Sequence, residues 1–327
     1  MDVESAKVKE LWGSSDAAAW RTSKLIHWLE HPRVQERNNL LVSGSRDTNR
    51  FEYFIKRYFG KKRARRVLTL GCGHGEFERG LSKSYFARTH DAVDLADGAI
   101  EDARTQAKSL GLTHIHYRVA DLNTIAIPPC TYDVVFGISS IHHVSNLEHL
   151  FDQVVKALKP GGYFFLDEYI GPNKFQWTDS QLAIINDQIH VMPDRMKTSL
   201  HDGHLKGALG RQTIAEMDAI DPSEGVRSAD ILNVLRDYFD ILEVRGSGGT
   251  ILHLLLEGIA GNFSEDDPES MQYLEHLFAL EDRLIADGTL KHDFAVIIAK
   301  RKPTRVEKIL GKSVAYFVSK ARSRTSR

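Results

Sequence analysis

Four side chains whose types suit proton transfer stand where the chain leaves short apolar runs. His142 and His143 come soon after Tyr132–Phe136, and Glu168 and Tyr169 come just after Tyr163–Leu166. An unperturbed imidazole is about half ionised near neutral pH, so either histidine suits a general base. His142 is the first choice, and packing is the plain alternative for both. Glu168 could orient that histidine, bind a hydroxyl or amine, or take the proton itself. Tyr169, Trp177 and His190 are candidate walls of an acceptor pocket, with His201 and His204 in reserve. The pair in H-D-G-H supports no metal site without a third ligand. No cluster of acidic ligands stands out, so no metal is expected.

A second constellation lies upstream. Val67 to Glu78 reads V-L-T-L-G-C-G-H-G-E-F-E. It opens as a strand buried on both faces, passes through Gly71, Gly73 and Gly75, and turns polar as a helix begins. Glycines there permit a tight turn and let a ligand approach the main chain. A dinucleotide fingerprint needs a glycine where Glu76 stands, and a negative charge there opposes a phosphate. No Gly-Lys-Ser/Thr follows, so a Walker loop is excluded.

The elements that must position these groups alternate strand and helix. Strands are expected at Val67–Leu70, His90–Val93, His116–Val119, Tyr132–Phe136 and Tyr163–Leu166, with helices at 76–84 and 146–158. Lys159-Pro160-Gly161-Gly162 should end the second of these helices with a left-handed glycine. In a doubly wound sheet, Asp94 at the end of the second strand suits both ribose hydroxyls. Asp97 suits a first helical turn, and Asp91 is expected to be solvated. Upstream, helices are expected over Ala17–Leu29, capped by Ser14, Ser15 or Asp16 and stopped by Pro32, and over Arg50–Phe59, with a loop at 40–46. Trp20, Leu25, Ile26 and Leu29 could form the first helix's buried stripe. Downstream, a helix at 181–190 capped by Thr178 or Asp179, a capped turn at 221–224 and a helix at 229–238 precede a strand at 241–245. Gly246, Gly248 and Gly249 should break that strand. A long helix from Pro268 to about Ala286 and a strand at 292–300 follow.

Taken in order, the glycine turn, the run Asp94–Ala103, Ala120-Asp121-Leu122 and L-K-P-G-G-Y-F-F-L-D-E resemble the class I S-adenosylmethionine-dependent methyltransferases of small-molecule type. The resemblance covers about residues 65–170. It implies an α/β fold: a doubly wound, seven-stranded, mostly parallel sheet with a helical N-terminal extension and helical cap insertions. It also implies S-adenosylmethionine as cofactor and S-adenosylhomocysteine as product. Contacts to that cofactor are implied at Leu70, Gly71, Cys72, Gly73, Gly75, Asp94, Leu95, Asp121 and Leu122. After the fourth strand they are implied at Gly137, Ile138 and Ser139. Asp121 would meet the adenine amino group and Leu122 the ring. The expected reaction is methyl transfer to a small molecule, first a hydroxyl of a sugar, polyketide or other secondary metabolite, next a small amine. A catalytically silent cofactor-binding scaffold is the rival class. An oxidoreductase is opposed by Glu76. An RNA methyltransferase is opposed by the missing Asn/Asp-Pro-Pro-Tyr/Phe element.

The expected divisions are an N-terminal helical extension (1–62), a cofactor-binding core (63–169), a substrate cap (170–227), the rest of the core with a helical insertion (228–302) and a basic tail (303–327). Length and an apolar fraction of 42% suit a globular protein. The net charge is −1, so no global field points to nucleic acid. From Arg301 onward, however, nine Lys or Arg face one acid, Glu307. Its apolar residues from Val306 to Val318, at helical spacing, suit either docking on the domain or peripheral contact with an anionic membrane. Lys61 to Arg66 reads as a solvated strand entry. Two cysteines, no signal-peptide pattern and no run near the ~20 apolar residues of a membrane span make a reducing cytoplasm the expectation. The Leu274, Leu277, Phe278 and Leu284 face is read as a homodimer surface ahead of packing on the sheet.

Overall fold

A computed structural model describes residues 3–13 and 25–302. Helix α1 (Val3–Gly13) precedes α2 (Pro32–Ser43) and α3 (Arg50–Phe54), which continues as a π turn over Ile55–Phe59. The core then runs β1 (Ala64–Leu70), α4 (Glu76–Ser82), β2 (Ala87–Asp94), α5 (Asp97–Ser109), β3 (Ile115–Val119), β4 (Tyr132–Ile138), α6 (Leu147–Ala157) and β5 (Leu158–Tyr169). Three helices follow, α7 (Asp179–Val191), α8 (Asp194–Lys197) and α9 (Ile214–Ile220). The chain closes with α10 (Ile231–Tyr238), β6 (Phe239–Gly248), α11 (Leu252–Leu256), α12 (Pro268–Ala286) and β7 (Phe294–Arg301).

The seven strands form one sheet in the order β3-β2-β1-β4-β5-β7-β6. The first five are parallel, and β7 is antiparallel to both of its neighbours. Strand order reverses between β1 and β4, which opens a crevice at their carboxyl ends. Alternate residues feed the two faces. Leu68, Leu70, Val135 and Phe164 pack with α6 and α10, while Val67, Val134, Phe136 and Phe165 pack with Phe54, Val42 and Leu81. That two-sided burial explains why the strands read as unbroken apolar runs.

Several expectations need correction. Pro32 starts a helix instead of stopping one: His31 Nδ1 accepts from Arg33 N–H, and proline's missing donor costs nothing at the first helical position. Residues 40–43 therefore continue α2, which ends at Gly44 with φ +81°. Leu25–Leu29 is not helical beyond a short 3₁₀ turn at Trp28–Glu30, and Ile26 is buried. The rest of that expected helix, with Trp20 and its caps, lies outside the described residues. So does the basic tail from residue 303, with its proposed membrane-facing segment. Helix α6 passes directly into extended chain at Leu158, so no left-handed glycine caps it. Strand β6 runs on to Gly248 instead of breaking at Gly246. Asp91 is tied to the Arg66 guanidinium (2.6 Å) and the Tyr132 hydroxyl (2.8 Å), not solvated.

The proposed homodimer face is consumed within the chain. Leu274, Leu277 and Phe278 are buried with Trp28, Ile185, Leu252, Leu255 and Leu256 in a second apolar core, and Leu284 packs against it. This core joins the 170–227 segment to α11 and α12. The long β6–β7 connection thus packs against that segment.

Candidate active site

The glycine turn closes the carboxyl end of β1. Gly71 and Gly75 adopt φ +66° and +78°; an added Cβ would strike Ser140 Cβ at 2.4 Å and the Tyr117 hydroxyl at 2.5 Å. Gly73, at φ +49°, has open space in its Cβ direction. Asp94 reaches across from β2: its two oxygens accept from Gly73 N–H (2.8 Å) and Ala96 N–H (2.9 Å). One bond per oxygen leaves acceptor capacity on both for a pair of vicinal hydroxyls. Cys72 is tied by its N–H to Val93, and Leu95 is half-buried beside Asp94.

Asp121 and buried Leu122 follow β3, with one Asp121 oxygen taking the Asn123 N–H (2.8 Å). Gly137 pairs in register with Leu70 on β1. Ile138 is half-buried, and Ser139 is exposed with φ +48°. Ser140 locks the two loops together by donating to the Leu70 carbonyl at 2.7 Å. An open glycine cradle beside a carboxylate with free lone pairs fits an uncharged ribose and a phosphate-free ligand. Residues able to hold S-adenosylmethionine are therefore present and converge.

Across the crevice, a 3₁₀ turn (Ile141–His143) leaves β4 carrying both histidines. Glu168, fully buried at the end of β5, holds this turn. One of its oxygens accepts the Ser140 and Ile141 N–H groups at 2.7 Å each, and the other meets His142 Nδ1 at 2.7 Å. Glu168 therefore orients His142, and it has no exposed surface of its own. The opposite nitrogen, His142 Nε2, lies 3.5 Å from Glu224. Burial lowers the His142 pKa, but Glu168, with Glu224 and Asp221, raises it more, so it ends above the ordinary histidine value.

His143 bonds through Nδ1 to the Ser223 hydroxyl (2.9 Å), with Asp221 at 3.7 Å. Burial and then neighbouring His142 push its pKa down to about 3. Asp221 accepts from Ser223 N–H (2.8 Å), the Ser223 hydroxyl (2.6 Å) and the Trp12 indole N–H (2.9 Å). Trp12 also sets its ring edge-on to His143 at 5.5 Å. Helix α1 thus bridges the cap turn to the start of α5, where Gly98 leaves room for Gly13: an added Cβ would meet the Gly13 carbonyl at 2.3 Å.

Tyr169 and Trp177 belong to one aromatic cluster beside this region. Trp177 stacks on Phe175 (5.0 Å between ring centres), and Tyr169 packs edge-on to Phe175 and 6.2 Å from His142. His190 does not: it lies on the exposed side of α7. His201 and His204 are exposed as well.

Sequence reasoning missed three groups. The turn Asp221–Glu224 was legible only as a turn, since nothing local ties it to residues 80 positions earlier. Trp12 gave no signal. His253 did carry one, as the single polar residue within I-L-H-L-L-L. It sits among Trp28, Tyr169, Phe175, Trp177 and Phe294, with ring centres 5.2–6.4 Å away. Its Nδ1 has no hydrogen-bond partner, and burial lowers its pKa to about 3.

Residues 67–162 match the family described as Methyltransferase domain. The core is a class I S-adenosylmethionine-dependent methyltransferase domain. Its cofactor is S-adenosylmethionine. Among curated relatives, Sterol 24-C-methyltransferase erg6 of Aspergillus fumigatus is 30% identical over 122 residues, 37% of this chain and 32% of that protein. The S-adenosyl-L-methionine-dependent Diels-Alderase iccD of Talaromyces variabilis is 31% identical over 188 residues, 55% of this chain and 61% of that protein. The chain thus spans only about a third of the first sterol relative. A solved geranyl diphosphate methyltransferase, in complex with GPP and sinefungin, shares the fold at 14% identity. It has a TM-score of 0.50 over 81% of this chain and 82% of that one. Among the described residues, no helix is long and apolar enough to cross a membrane.

Proposed function

We propose that the protein transfers a methyl group from S-adenosylmethionine to a hydroxyl on a small, largely apolar acceptor. S-adenosylmethionine, when bound, supplies a methyl carbon on a sulfonium leaving group. The chain's own residues align the acceptor and take its proton. The observation that carries this reading is the Glu168–His142 pair at the ends of β5 and β4. Its Nδ1 partner fixes the imidazole and leaves Nε2 toward the cap, where an acceptor hydroxyl can meet it.

The aromatic wall of Tyr169, Phe175 and Trp177 favours an apolar body over a sugar. Relatives point the same way: besides the sterol enzyme, a Fatty-acid O-methyltransferase of Mycolicibacterium smegmatis is 29% identical over 100 residues. A cytoplasmic, small-molecule enzyme is part of this proposal. An amine acceptor needs no base once deprotonated, so it makes weaker use of the dyad. A second reading, ring closure without methyl loss, rests on the Diels-Alderase relative, which matches more of its own length than the sterol enzyme does.

The test is to incubate purified protein with methyl-labelled cofactor and a panel of sterols, fatty acids and polyketide phenols. Label appearing in an ether or ester product, with S-adenosylhomocysteine formed in equal amount, supports transfer. Cofactor binding with substrate isomerised and all label retained would replace transfer with the ring-closing reading.

A further inference from the structure

We infer that His142, His143 and Glu224 form a binding site for one first-row transition-metal dication of the zinc or iron type. One ligand atom from each of the three lies within 4.8 Å of the others. His142 Nε2 is 3.5 Å from one Glu224 oxygen, and His143 Nε2 is 3.9 Å from the other. A tetrahedral ion with bonds of ~2.1 Å holds its ligands roughly 3.4 Å apart, so small side-chain rotations close the site.

A chance cluster would leave the far sides of the rings free. Here both are held: His142 Nδ1 by Glu168 (2.7 Å) and His143 Nδ1 by the Ser223 hydroxyl (2.9 Å). Outer partners on Nδ1 fix each ring with Nε2 as the free ligand nitrogen, which is how metal-binding histidines are oriented. Charge agrees. Glu168, Asp221 and Glu224 surround the two imidazoles, and the nearby Lys174 is already shared with Asp218. A dication offsets that negative surplus.

Two nitrogens and one carboxylate select a borderline metal over magnesium or calcium, which prefer all-oxygen sites. Three protein ligands also leave a position open. On the methyl-transfer reading above, and only for this step, that position receives the acceptor hydroxyl and lowers its pKa, its proton leaving to solvent. The ion then replaces His142 as the means of ionising the hydroxyl, because one nitrogen cannot hold both a metal and a proton.

The test is equilibrium dialysis of the full chain against Zn²⁺, Co²⁺ and Mg²⁺, with visible spectra of the cobalt form. Expected are one Zn²⁺ or Co²⁺ per chain, cobalt bands of low coordination number, and no competition from Mg²⁺. Glu224→Gln and His143→Ala should abolish the bands. Ser223→Ala should weaken binding by about 10-fold or more. S-adenosylhomocysteine affinity, which depends on the other side of the crevice, verifies that each variant is folded. Substoichiometric metal, or bands that survive both ligand variants, would overturn the site. A chelator-stripped chain that regains turnover with Zn²⁺ supports the hydroxyl step. Turnover indifferent to stripping overturns that step while leaving methyl transfer intact. Metal and cofactor binding without transfer to any acceptor supports the site and counts against the reading of Proposed function alone.

Discussion

The two sides of the crevice are built in opposite ways. The cofactor side is local: Gly71, Gly73 and Gly75 lie within five residues, and Asp94 comes from the neighbouring strand to hold Gly73 N–H. The proposed acceptor side is assembled from distance. His142 and His143 leave β4, Glu168 ends β5, Asp221 to Glu224 belong to the cap, and Trp12 comes from α1. A turn encoded in one stretch can persist while the groups facing it are exchanged segment by segment. The chemistry should therefore be sensitive to changes at either end of the chain, and cofactor binding should not.

The sharpest way to break that contrast is His142→Ala. Turnover should fall by about 10²–10⁴-fold, whether the imidazole takes the hydroxyl proton itself or holds the ion that lowers that hydroxyl's pKa, with S-adenosylhomocysteine affinity changed by less than about threefold. A matching loss of cofactor affinity in calorimetry would mean that the two sides are one cooperative unit. The reciprocal change is Asp94→Ala. It removes the acceptor for Gly73 N–H and the proposed ribose contact together, and charged hydrogen bonds contribute about 1.5–3 kcal/mol each. Cofactor affinity should weaken by at least about 30-fold; an unchanged value removes the ribose assignment.

A smaller change tests reach. Trp12→Phe keeps a ring against His143 but deletes the bond to Asp221. One hydrogen bond nets about 0.5–1.5 kcal/mol, so turnover should fall by about 2- to 10-fold, with cofactor affinity unmoved. Equal activity in the two proteins would leave α1 as a packing element.

The same contrast governs what could be read from sequence. The core strands and their order along the chain were legible because most of them carry an apolar run bounded by glycine, proline or acid. The cofactor side was legible because its spacing is contiguous. The cap's role was not. Asp221-Pro222-Ser223-Glu224 has the chemistry of any surface turn, and only the packing of the 170–227 segment against α11 and α12 sets it beside His142. Pro32 misled for a related reason: proline ends one helix as readily as it begins another, and His31 as the capping side chain decided between them. The Leu274–Phe278 face was read as an oligomer surface because its partners, Trp28 and Ile185, lie far away in sequence.

The subtlest effect concerns the floor beneath the glycine turn. Glu78 is fully buried behind it, and burial outweighs its hydrogen bonds and lifts its pKa to about 7. Glu257 and Asp293, in the second core and at its edge, are likewise pushed up to about 7 by burial. Each folded-state value lies above the unfolded one, so the folded state holds extra protons between about pH 4 and pH 7. Their stabilising contribution is complete below the unfolded values and is lost as pH rises through about 7. His90, His143 and His253, each lowered to about 3 with burial as the largest cause, act in the opposite sense below about pH 6.5, because there the unfolded chain binds the extra protons. With three groups acting in each sense, the melting temperature should therefore peak at about pH 5.5, fall between about pH 6 and 7.5, and level off by about pH 8. Glu78→Gln should flatten the alkaline limb by about 1 kcal/mol, or roughly 2–4 °C, and leave the acid limb set by the histidines. An alkaline limb of unchanged slope would show that Glu78 is ionised in the folded protein, and that the floor of the cofactor side is as charged as the wall across from it.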